Sequence, residues 1–464
     1  MALSEHIFKA YDIRGIYPEE INADATYRIG SAFCRYLLKK NKKKDLKIVV
    51  GKDARLSSPE LCKAFINGCL DASADVLDIG PSTTPMIYFA TNFLKADGGA
   101  IITASHNPSQ YNGIKLVDGR ALPINPSEIK KLCVSAPPKA DQKGRLEKSE
   151  IASAYIDFLA SFSHDGVNSA FRVVADASNG AGGELLKMLF DKLEVSYWPL
   201  YFDPDGRFPN HSPNPLEPEA TQRVQELVIH KGADFGFVLD ADGDRIVFLD
   251  ERGRTVRGDL VTALLADNLA KKGDVVLMDV ASGKIVFDIG KIKGVKIKRV
   301  QTGHLNIKNA MRKTNALLAG EASGHYYFRD FFSADSAALT LIFMLNIFAA
   351  SRKTFSALLE PYDIYFHSRE YNFKLPDAGR IEKILERLAK KYGEGKKILI
   401  DGLTVEYSDW WFNVRRSQTE PLLRLNIEAA KRSLLEEKIK ELTTFVNKYQ
   451  HSRIFKESAG GGRL

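Results

Sequence analysis

Alternation between short apolar segments and helical patterns is the feature that most constrains the fold of this chain. Apolar segments that end in Asp, Gly or Ser recur, with helical patterns after them; examples are 46–53, 98–105, 171–183, 233–244 and 274–283. This order predicts βαβ units with mainly parallel sheets. Ligands of such sheets gather beyond the carboxyl ends of the strands, where the polar loops of all these segments lie. We therefore expect these loops to build the functional site.

Three polar or proline-rich segments divide the chain, at 136–150, 249–259 and 359–370. A length of 464 residues suggests about three domains of roughly 150 residues each. After the third segment the pattern changes to a strand, a helix near 379–392, two strand-like segments and a final helix near 427–449. This change predicts a separate α+β unit at the C-terminal end.

The composition, with 44% hydrophobic and 27% charged residues, is typical of a soluble globular protein. The most apolar segment, 336–351, is shorter than a membrane span of about 20 residues and contains Asn346, so it predicts a buried helix. The first residues contain no apolar stretch, and we expect no signal peptide. Residues 456–464 predict a mobile tail.

The cysteines predict a reducing, cytoplasmic environment. They lie in the first third of the chain without C-x-x-C spacing, which disfavours a zinc site. They are Cys34, Cys62, Cys69 and Cys133.

The net charge of +8 is compatible with an anionic partner. Its densest lysine segment, 39–44, follows a helical pattern, and lysines favour helix C-termini. No nucleic-acid-binding signature accompanies it. We therefore expect a small phosphorylated substrate, and neither a nucleic acid nor a membrane as partner.

The segment TASHNP places Ser105 at the end of a predicted strand, beside His106. Ser105 is either an ordinary turn serine, a hydrolase nucleophile with His106 as its base, or a carrier of phosphate. Adjacent residues of an extended chain point to opposite sides, and the G-x-S-x-G elbow is absent, so the hydrolase is disfavoured. The choice between the other two depends on the rest of the chain.

The segment DADGDR contains three closely spaced carboxylates, Asp240, Asp242 and Asp244. These carboxylates repel one another unless a cation joins them, and hard oxygen ligands favour Mg²⁺ or Ca²⁺. An EF-hand is disfavoured because Arg245 stands where its loop requires glycine and because both flanks are strand-like. A hairpin turn that holds Mg²⁺ is favoured over a solvated acidic turn.

Two further motifs, GEASGH at 320–325 and RRSQTEP at 415–421, follow in order, and AYDIRG at 10–15 precedes all the others. With these motifs the chain resembles the α-D-phosphohexomutase superfamily over nearly its whole length. It is closest to the phosphomannomutase/phosphoglucomutase branch. The resemblance implies an α/β fold with three related domains of mainly parallel mixed sheets and a smaller α+β C-terminal domain, all around a central cleft.

The resemblance implies one functional loop in each domain. The expected domains are 1–149 with the phosphoserine loop, 150–250 with the metal loop, 251–364 with the sugar-specificity loop, and 365–455 with the phosphate-binding loop.

By the same resemblance, Ser105 is the phosphoserine, and the expected cofactors are Mg²⁺ and a hexose 1,6-bisphosphate that serves as intermediate and activator. The implied metal ligands are Ser105, Asp240, Asp242 and Asp244. The implied catalytic residues, besides Ser105, are Lys115, His325, Arg14 and Arg245. The implied substrate-binding residues are Glu321, Ser323, His325, Arg415, Ser417, Gln418, Thr419, His304 and Tyr11.

The implied reaction interconverts the 1- and 6-phosphates of mannose, glucose or both. Lys115 and His325 are the acid–base candidates, and a lysine needs a lowered pKa to act as base. His106 is expected to order its loop. Glu321 and Ser323, two residues apart on an extended loop, are expected to bind sugar O3 and O4.

Two other activities stay open. Thr103 and the AYDIRG segment disfavour a phosphoglucosamine mutase, although Ala322 is typical of neither enzyme. A metal-dependent sugar phosphatase is disfavoured by the basic loop 415–421, because a phosphatase does not bind both ends of its substrate alternately. We expect a cytoplasmic monomer or weak oligomer.

Overall fold

The structure is a computed structural model that describes residues 3–43, 45–133, 137–164, 166–167, 171–375, 378–417 and 422–451. Its helices and strands fall into four successive units, each built on its own sheet. The first three units mix parallel and antiparallel strands, and the strand pairs of the fourth are antiparallel. This arrangement confirms the predicted fold class.

The first unit contains the serine loop, residues 103–111, which leads from β4 into β5. Its sheet has the order β1-β5-β4-β2-β3-β6, with the central strands parallel and β5 antiparallel to both of its neighbours. The strands are β1 Ile13–Ile16, β2 Leu46–Lys52, β3 Ala74–Pro81, β4 Gly98–Ile102, β5 Tyr111–Asp118 and β6 Leu146–Lys148. The helices are α1 Ala23–Asn41, α2 Ser58–Asp71, α3 Thr84–Phe93 and α4 Pro126–Lys130. The side chain of Asn22 caps α1 by accepting a hydrogen bond from the Ala25 amide at 3.0 Å.

The second unit contains the acidic loop, residues 240–245, between β9 and β10. Its sheet has the order β10-β9-β7-β8, and only β10 runs antiparallel. The strands are β7 Arg172–Asp176, β8 Ser196–Leu200, β9 Phe235–Leu239 and β10 Ile246–Leu249. The helices are α5 Ala152–Ala160, α6 Gly183–Leu193 and α7 Pro218–Lys231. Every residue of β9 is buried, as expected for a strand covered on both faces.

The third unit has the strand order β12-β11-β13-β14-β15, in which β11 is parallel to both of its neighbours. The strands are β11 Val275–Asp279, β12 Lys296–Val300, β13 Leu318–Gly320, β14 Tyr326–Phe328 and β15 Ala334–Asp335. The helices are α8 Gly258–Leu269, α9 Ile285–Lys293, α10 His304–Thr314, α11 Ala337–Ser351 and α12 Phe355–Leu359. Helix α11 is the buried helix predicted from the most apolar segment.

The fourth unit packs two helices on an antiparallel sheet of order β16-β21-β20-β19-β18, with β17 also paired to β21. The strands are β16 Phe366–His367, β17 Tyr371–Lys374, β18 Lys396–Ile398, β19 Leu403–Glu406, β20 Trp410–Arg416 and β21 Leu422–Ala429. The helices are α13 Ala378–Lys391 and α14 Arg432–His451.

The predicted start of the last helix near residue 427 is wrong, because β21 continues to Ala429. Leu423, Leu425 and Ile427 are all buried, and this period-two pattern places one face of a strand in the core. Four strands, rather than the two predicted, separate α13 from α14.

One hydrophobic cluster contains residues of the first three units, whereas the first unit also has a second cluster of its own and the fourth unit has a separate one. Tyr155 of the second unit joins the other two, because its ring lies 5.2 Å from that of Phe89 and 6.4 Å from that of Phe331. These ring contacts pack the second unit against the first and the third.

All four cysteines are free. Within the described part of the chain, no helix combines the length and apolar character that crossing a membrane requires. The predicted mobile tail, 456–464, lies outside the described residues.

Candidate active site

The serine loop follows β4 and buries Ser105, which is 2% exposed. Ser105 has a φ of +49°, and its amide donates to the Thr103 hydroxyl at 2.8 Å. The backbone is therefore not extended here, and the inference that Ser105 and His106 point apart is wrong. The Oγ of Ser105 lies 3.3 Å from Nδ1 of His106. Burial, together with the charges of Arg245 and Arg14, holds the pKa of His106 well below its usual range, so the ring is neutral.

The acidic loop is the turn of the β9–β10 hairpin, as predicted. Asp240 Oδ1 accepts hydrogen bonds from the amides of Asp244 and Arg245, each at 3.1 Å. Its Oδ2 accepts a hydrogen bond from the hydroxyl of Ser105 at 2.9 Å. One carboxylate thus joins the acidic loop of the second unit to the serine of the first.

The three carboxylates of this loop fit a hard cation. Asp240, Asp242 and Asp244 are buried, and each offers an oxygen within 4.8 Å of the others. Asp242 Oδ1 and Asp244 Oδ1 are buried without a hydrogen-bond partner. Burial and the neighbouring carboxylates raise the pKa of Asp240 well above its usual range, which a bound cation would reverse.

Lys115, on β5, neutralises part of this charge. Its Nζ lies 2.6 Å from Asp242 Oδ2 and 2.5 Å from Asp244 Oδ2. Burial alone lowers the pKa of Lys115, but the attraction of the carboxylates is larger and raises it overall. This shift is opposite to the one that a lysine base requires.

Two arginines flank the serine and the acidic loop. Arg14, on β1, donates to the side chain of Asn107, two residues beyond the serine. Arg245 donates from Nε to Nε2 of His325 at 2.9 Å, and the same Nε lies 3.9 Å from Asp240 Oδ2. Both guanidinium groups therefore lie beside side chains that flank or contact Ser105.

His325, in the third unit, contacts Arg245 of the second unit on one side and Asp335 of its own unit on the other. Its Nδ1 lies 3.0 Å from Asp335 Oδ2, and the other oxygen of Asp335 lies 2.7 Å from Nζ of the buried Lys308. Burial raises the pKa of Asp335, but the Lys308 cation more than offsets this, and the carboxyl stays ionised. Sequence reasoning missed both partners. Lys308 follows His304 by four positions, a helical spacing that would have placed the two on one face.

The sugar loop, 320–325, is a tight turn and not the extended loop expected. The Gly324 amide donates to the Glu321 carbonyl at 3.1 Å, and Gly324 has a φ of +89°. Glu321 accepts hydrogen bonds from the Gly303 amide at 3.1 Å and from the Tyr327 hydroxyl at 2.6 Å. Ser323 is half-buried on the turn. The alternation argument for the pair of Glu321 and Ser323 therefore fails.

Tyr11 and His304 lie together where the first and third units meet. Their rings are 5.9 Å apart, and the Tyr11 hydroxyl donates to the Thr302 carbonyl at 3.0 Å. Burial and the charge of Lys308 lower the pKa of His304 to about 3, and neither ring nitrogen of His304 has a hydrogen-bond partner. A neutral imidazole is thus available to a ligand.

The loop predicted to bind phosphate begins where β20 ends. Arg415 donates from Nη2 to Glu370 Oε2 at 2.9 Å, and the Ser417 amide donates to the Leu422 carbonyl at 2.8 Å. Burial first, and then the charge of Glu321, raise the pKa of Asp279 to about 7. The positive charge of Arg415 opposes this increase. Gln418 and Thr419 lie outside the described residues.

The fold and this site define the class of protein: a four-unit α/β enzyme in which a buried serine faces an acidic loop that can hold a metal. Four profiles of one family match the chain. They are described as phosphoglucomutase/phosphomannomutase alpha/beta/alpha domain I over 5–140, domain II over 153–253, domain III over 257–365, and the C-terminal domain over 370–444. The chain belongs to the phosphoglucomutase/phosphomannomutase family, which confirms the resemblance found in its motifs.

Relatives match nearly the whole chain. A phosphomannomutase of Escherichia coli (strain K12) is 35% identical over 460 residues, which cover 95% of this chain and 98% of the relative. A phosphoglucomutase/phosphomannomutase of Thermococcus kodakarensis is 36% identical over 446 residues, covering 94% of this chain and 96% of that protein. A crystal structure of a family protein from Burkholderia thailandensis matches with a TM-score of 0.88 and 32% identity, covering 97% of this chain and 98% of that chain.

Proposed function

We propose that this enzyme interconverts hexose 1-phosphates and hexose 6-phosphates of mannose, glucose or both. The route proceeds through a phosphoserine at Ser105 and a bound hexose 1,6-bisphosphate. The observation that carries the proposal is the 2.9 Å contact between the Ser105 hydroxyl and Asp240 of the acidic loop. The names of the relatives support the mutase reaction and do not favour the phosphoglucosamine mutase or the phosphatase.

We assign Asp240, Asp242, Asp244 and the phosphate on Ser105 as the groups that hold Mg²⁺. Bound there, Mg²⁺ supplies positive charge beside the transferring phosphoryl group. The orphaned oxygens of Asp242 and Asp244 support this assignment. Arg14 and Arg245 contribute further positive charge to a phosphoserine that carries about −1.5 to −2 charges.

Phosphoryl transfer needs one bond to break and one to form in each half-reaction. The bond between phosphorus and Ser105 Oγ breaks as phosphorus bonds to the free hydroxyl oxygen of the substrate; the proton of that hydroxyl passes to a base, and Ser105 Oγ gains a proton. In the second half-reaction the other phosphorus of the bisphosphate bonds to Ser105 Oγ, which loses its proton to a base, while the departing sugar oxygen gains a proton. The groups we propose for these proton transfers are Lys115, a proton donor in its present ion pairs, and His325, held by Arg245 and near Asp335.

We propose that the remaining cleft residues hold the sugar and its non-reacting phosphate. Glu321, Ser323, His325, His304 and Tyr11 face the sugar, and the loop of Arg415, Ser417, Gln418 and Thr419 binds the phosphate. The fixed carboxylate of Glu321 and the neutral ring of His304 support this division. A cytoplasmic location and a monomeric or weakly associated state remain part of the proposal.

The test is a coupled assay with the 1-phosphates of mannose, glucose and glucosamine, run beside a measurement of inorganic phosphate. We expect 6-phosphates of mannose or glucose to form at rates far above those of phosphate release. Net release of phosphate at the rate of substrate loss would indicate the phosphatase. A preference for glucosamine 1-phosphate would indicate the phosphoglucosamine mutase.

A further inference from the structure

Arg55 lies behind the serine loop and donates to four of its backbone carbonyls. Nη2 lies 2.7 Å from the carbonyl oxygen of Ser105 and 2.5 Å from that of Asn107. Nη1 lies 2.7 Å from the carbonyl oxygen of Pro108 and 2.9 Å from that of Tyr111. The side chain of Arg55 is 0% exposed. One buried guanidinium thus binds the main chain of the serine loop at four positions.

The fifth donor of Arg55 fixes the guanidinium itself. Nε donates to Asp53 Oδ2 at 3.1 Å. The other oxygen of Asp53 accepts from the Arg55 amide at 3.0 Å and from the Ser58 hydroxyl at 2.6 Å. A guanidinium has five N–H donors in a rigid fork, and here all five are used. A lysine, with three donors on one nitrogen, cannot span these acceptors.

The second unit closes over this arginine. The ring of Phe208 lies 5.0 Å from Cζ of Arg55, within cation–π range. At Gly206, a Cβ would lie 2.5 Å from the Cα of Arg55 and 2.6 Å from the carbonyl oxygen of Ala54, so only glycine allows the two turns to meet. Docking of this turn therefore packs an aromatic ring of the second unit against the guanidinium.

We infer that Arg55 is a positioning residue for phosphoryl transfer, and this inference rests on the proposed function. It holds the loop so that Ser105 keeps its left-handed backbone conformation, with Oγ directed at the acidic loop. Ser105 needs such support, because a non-glycine residue with positive φ persists only where its surroundings impose that conformation. Phe208 makes the positioning depend on contact between the first and second units.

The experiment compares Arg55→Lys, which keeps the charge and loses the fork, with Arg35→Lys as control. Arg35 lies in the same unit, and its guanidinium donates to the Leu132 carbonyl, away from the serine loop. Thermal unfolding first establishes that both variants are folded. For Arg55→Lys we expect kcat to fall at least 100-fold while KM for the hexose phosphate changes less than threefold, because no sugar-binding group is altered. Deuterium uptake by the amides of 103–111 should rise at least tenfold in rate, and it should not change in Arg35→Lys.

Phe208→Leu tests the role of the second unit. We expect a smaller loss of kcat and a smaller rise in deuterium uptake over the same loop. Uptake equal to wild type in Phe208→Leu would overturn the dependence on the second unit. An Arg55→Lys variant with the kcat and loop exchange of Arg35→Lys would overturn the positioning role. Absence of mutase activity in the wild type would instead refute the proposed function, and loop exchange would still report whether Arg55 orders the loop.

Discussion

Thr84 is hydrogen bonded twice to Asp242, across the boundary between the first and second units. Its amide donates to the Asp242 carbonyl at 2.8 Å, and its hydroxyl donates to Asp242 Oδ2 at 2.6 Å. Thr84 begins helix α3 and is fully buried. The first turn of a helix in one unit thus fixes the orientation of a proposed metal ligand in the next.

Removing this hydroxyl should weaken metal binding. Thr84→Val keeps the shape of the side chain and the hydrogen bond from the backbone amide, but it removes the hydrogen bond that the hydroxyl donates to Asp242 Oδ2. Loss of a group that orients a metal ligand typically costs about 10- to 100-fold in metal affinity or activity. We expect the Mg²⁺ concentration for half-maximal activity to rise by about that factor. Thr91→Val is the control, because the Thr91 hydroxyl donates to the Ile87 carbonyl on the same helix. Equal Mg²⁺ dependence in both variants would contradict the role of Thr84.

Ser105 should carry the phosphate. We expect intact-mass measurement to find one phosphate per chain after incubation with glucose 1,6-bisphosphate, and peptide mapping to place it on Ser105. Ser105→Ala should lose this phosphate and nearly all turnover, because the variant lacks the Oγ that lies beside Asp240. Ser161→Ala, at an exposed helix end, should retain both. Wild-type turnover in Ser105→Ala would exclude the carrier.

Lys115 should stabilise the metal-free protein. Removing one partner of a buried ion pair leaves an uncompensated charge and typically costs about 3 to 5 kcal/mol. Lys115→Met should therefore lower the free energy of unfolding in chelator by about that amount, and added Mg²⁺ should stabilise the variant more than the wild type. Lys40→Met is the control, since Lys40 pairs with Asp118 at 2.9 Å with its side chain 37% exposed. Such a pair contributes about 1 kcal/mol or less. Equal losses in the two variants would show that Lys115 does not serve the acidic loop.

Features encoded by nearby residues could be predicted from the sequence. The hairpin that carries Asp240, Asp242 and Asp244 follows from two apolar strands around a short acidic turn, and the buried helix α11 follows from its apolar residues. The predicted start of α14 is wrong because helical and strand patterns overlap near Ile427, where pairing with β20 decides the outcome.

Relationships between distant segments could not be predicted. Arg55 and Ser105 are 50 positions apart, and Thr84 and Asp242 are 158 apart. No local pattern marks a buried arginine as the partner of a particular loop. The left-handed conformation of Ser105 depends on such partners, so an argument from an extended chain put His106 on the wrong side.

His211 should make stability depend on pH. Its Nδ1 lies 2.7 Å from the Ser212 carbonyl oxygen and its Nε2 lies 3.2 Å from Asp176 Oδ2, so both nitrogens face acceptors. Burial lowers the pKa of His211, but Asp176, with smaller contributions from the Ser212 carbonyl and then Glu219, more than offsets this and raises it. Protonated His211 therefore adds to the free energy of unfolding. This contribution is complete below the pKa of His211 in the unfolded chain, about 6.5, and it is lost as the pH rises through the higher pKa in the folded protein.

The measurement is the urea midpoint of wild type and His211→Gln at pH 6 and pH 9. We expect the wild type to exceed the variant by more at pH 6 than at pH 9. His230→Gln is the control, on an exposed face of α7. A difference between wild type and His211→Gln that grows with pH would reverse the sign and exclude a protonated His211.

Sugar specificity should depend on Glu321. Its two hydrogen bonds, from the Gly303 amide and the Tyr327 hydroxyl, hold the carboxylate in one orientation at the turn of the sugar loop. We expect this carboxylate to accept hydrogen bonds from O3 and O4, which stay in place when a hexose is turned end for end. Mannose and glucose differ only at C2, so both should be substrates, and the C4 epimer galactose should be a poor one.

Glu321→Ala should impair mannose 1-phosphate and glucose 1-phosphate to the same degree. A hydrogen bond to a charged group contributes about 1.5 to 3 kcal/mol, roughly a tenfold to hundredfold change in kcat/KM. Glu251→Ala is the matched control, because Glu251 also accepts hydrogen bonds from a backbone amide and a hydroxyl, both of Ser356, and lies outside the proposed site. Steady-state kinetics with the 1-phosphates of mannose, glucose and galactose provide the measurement. Two results would show that Glu321 does not bind the hydroxyls that mannose and glucose share. One is a reaction of galactose 1-phosphate as fast as that of glucose 1-phosphate. The other is a Glu321→Ala variant that keeps its activity on one of the two sugars and loses its activity on the other.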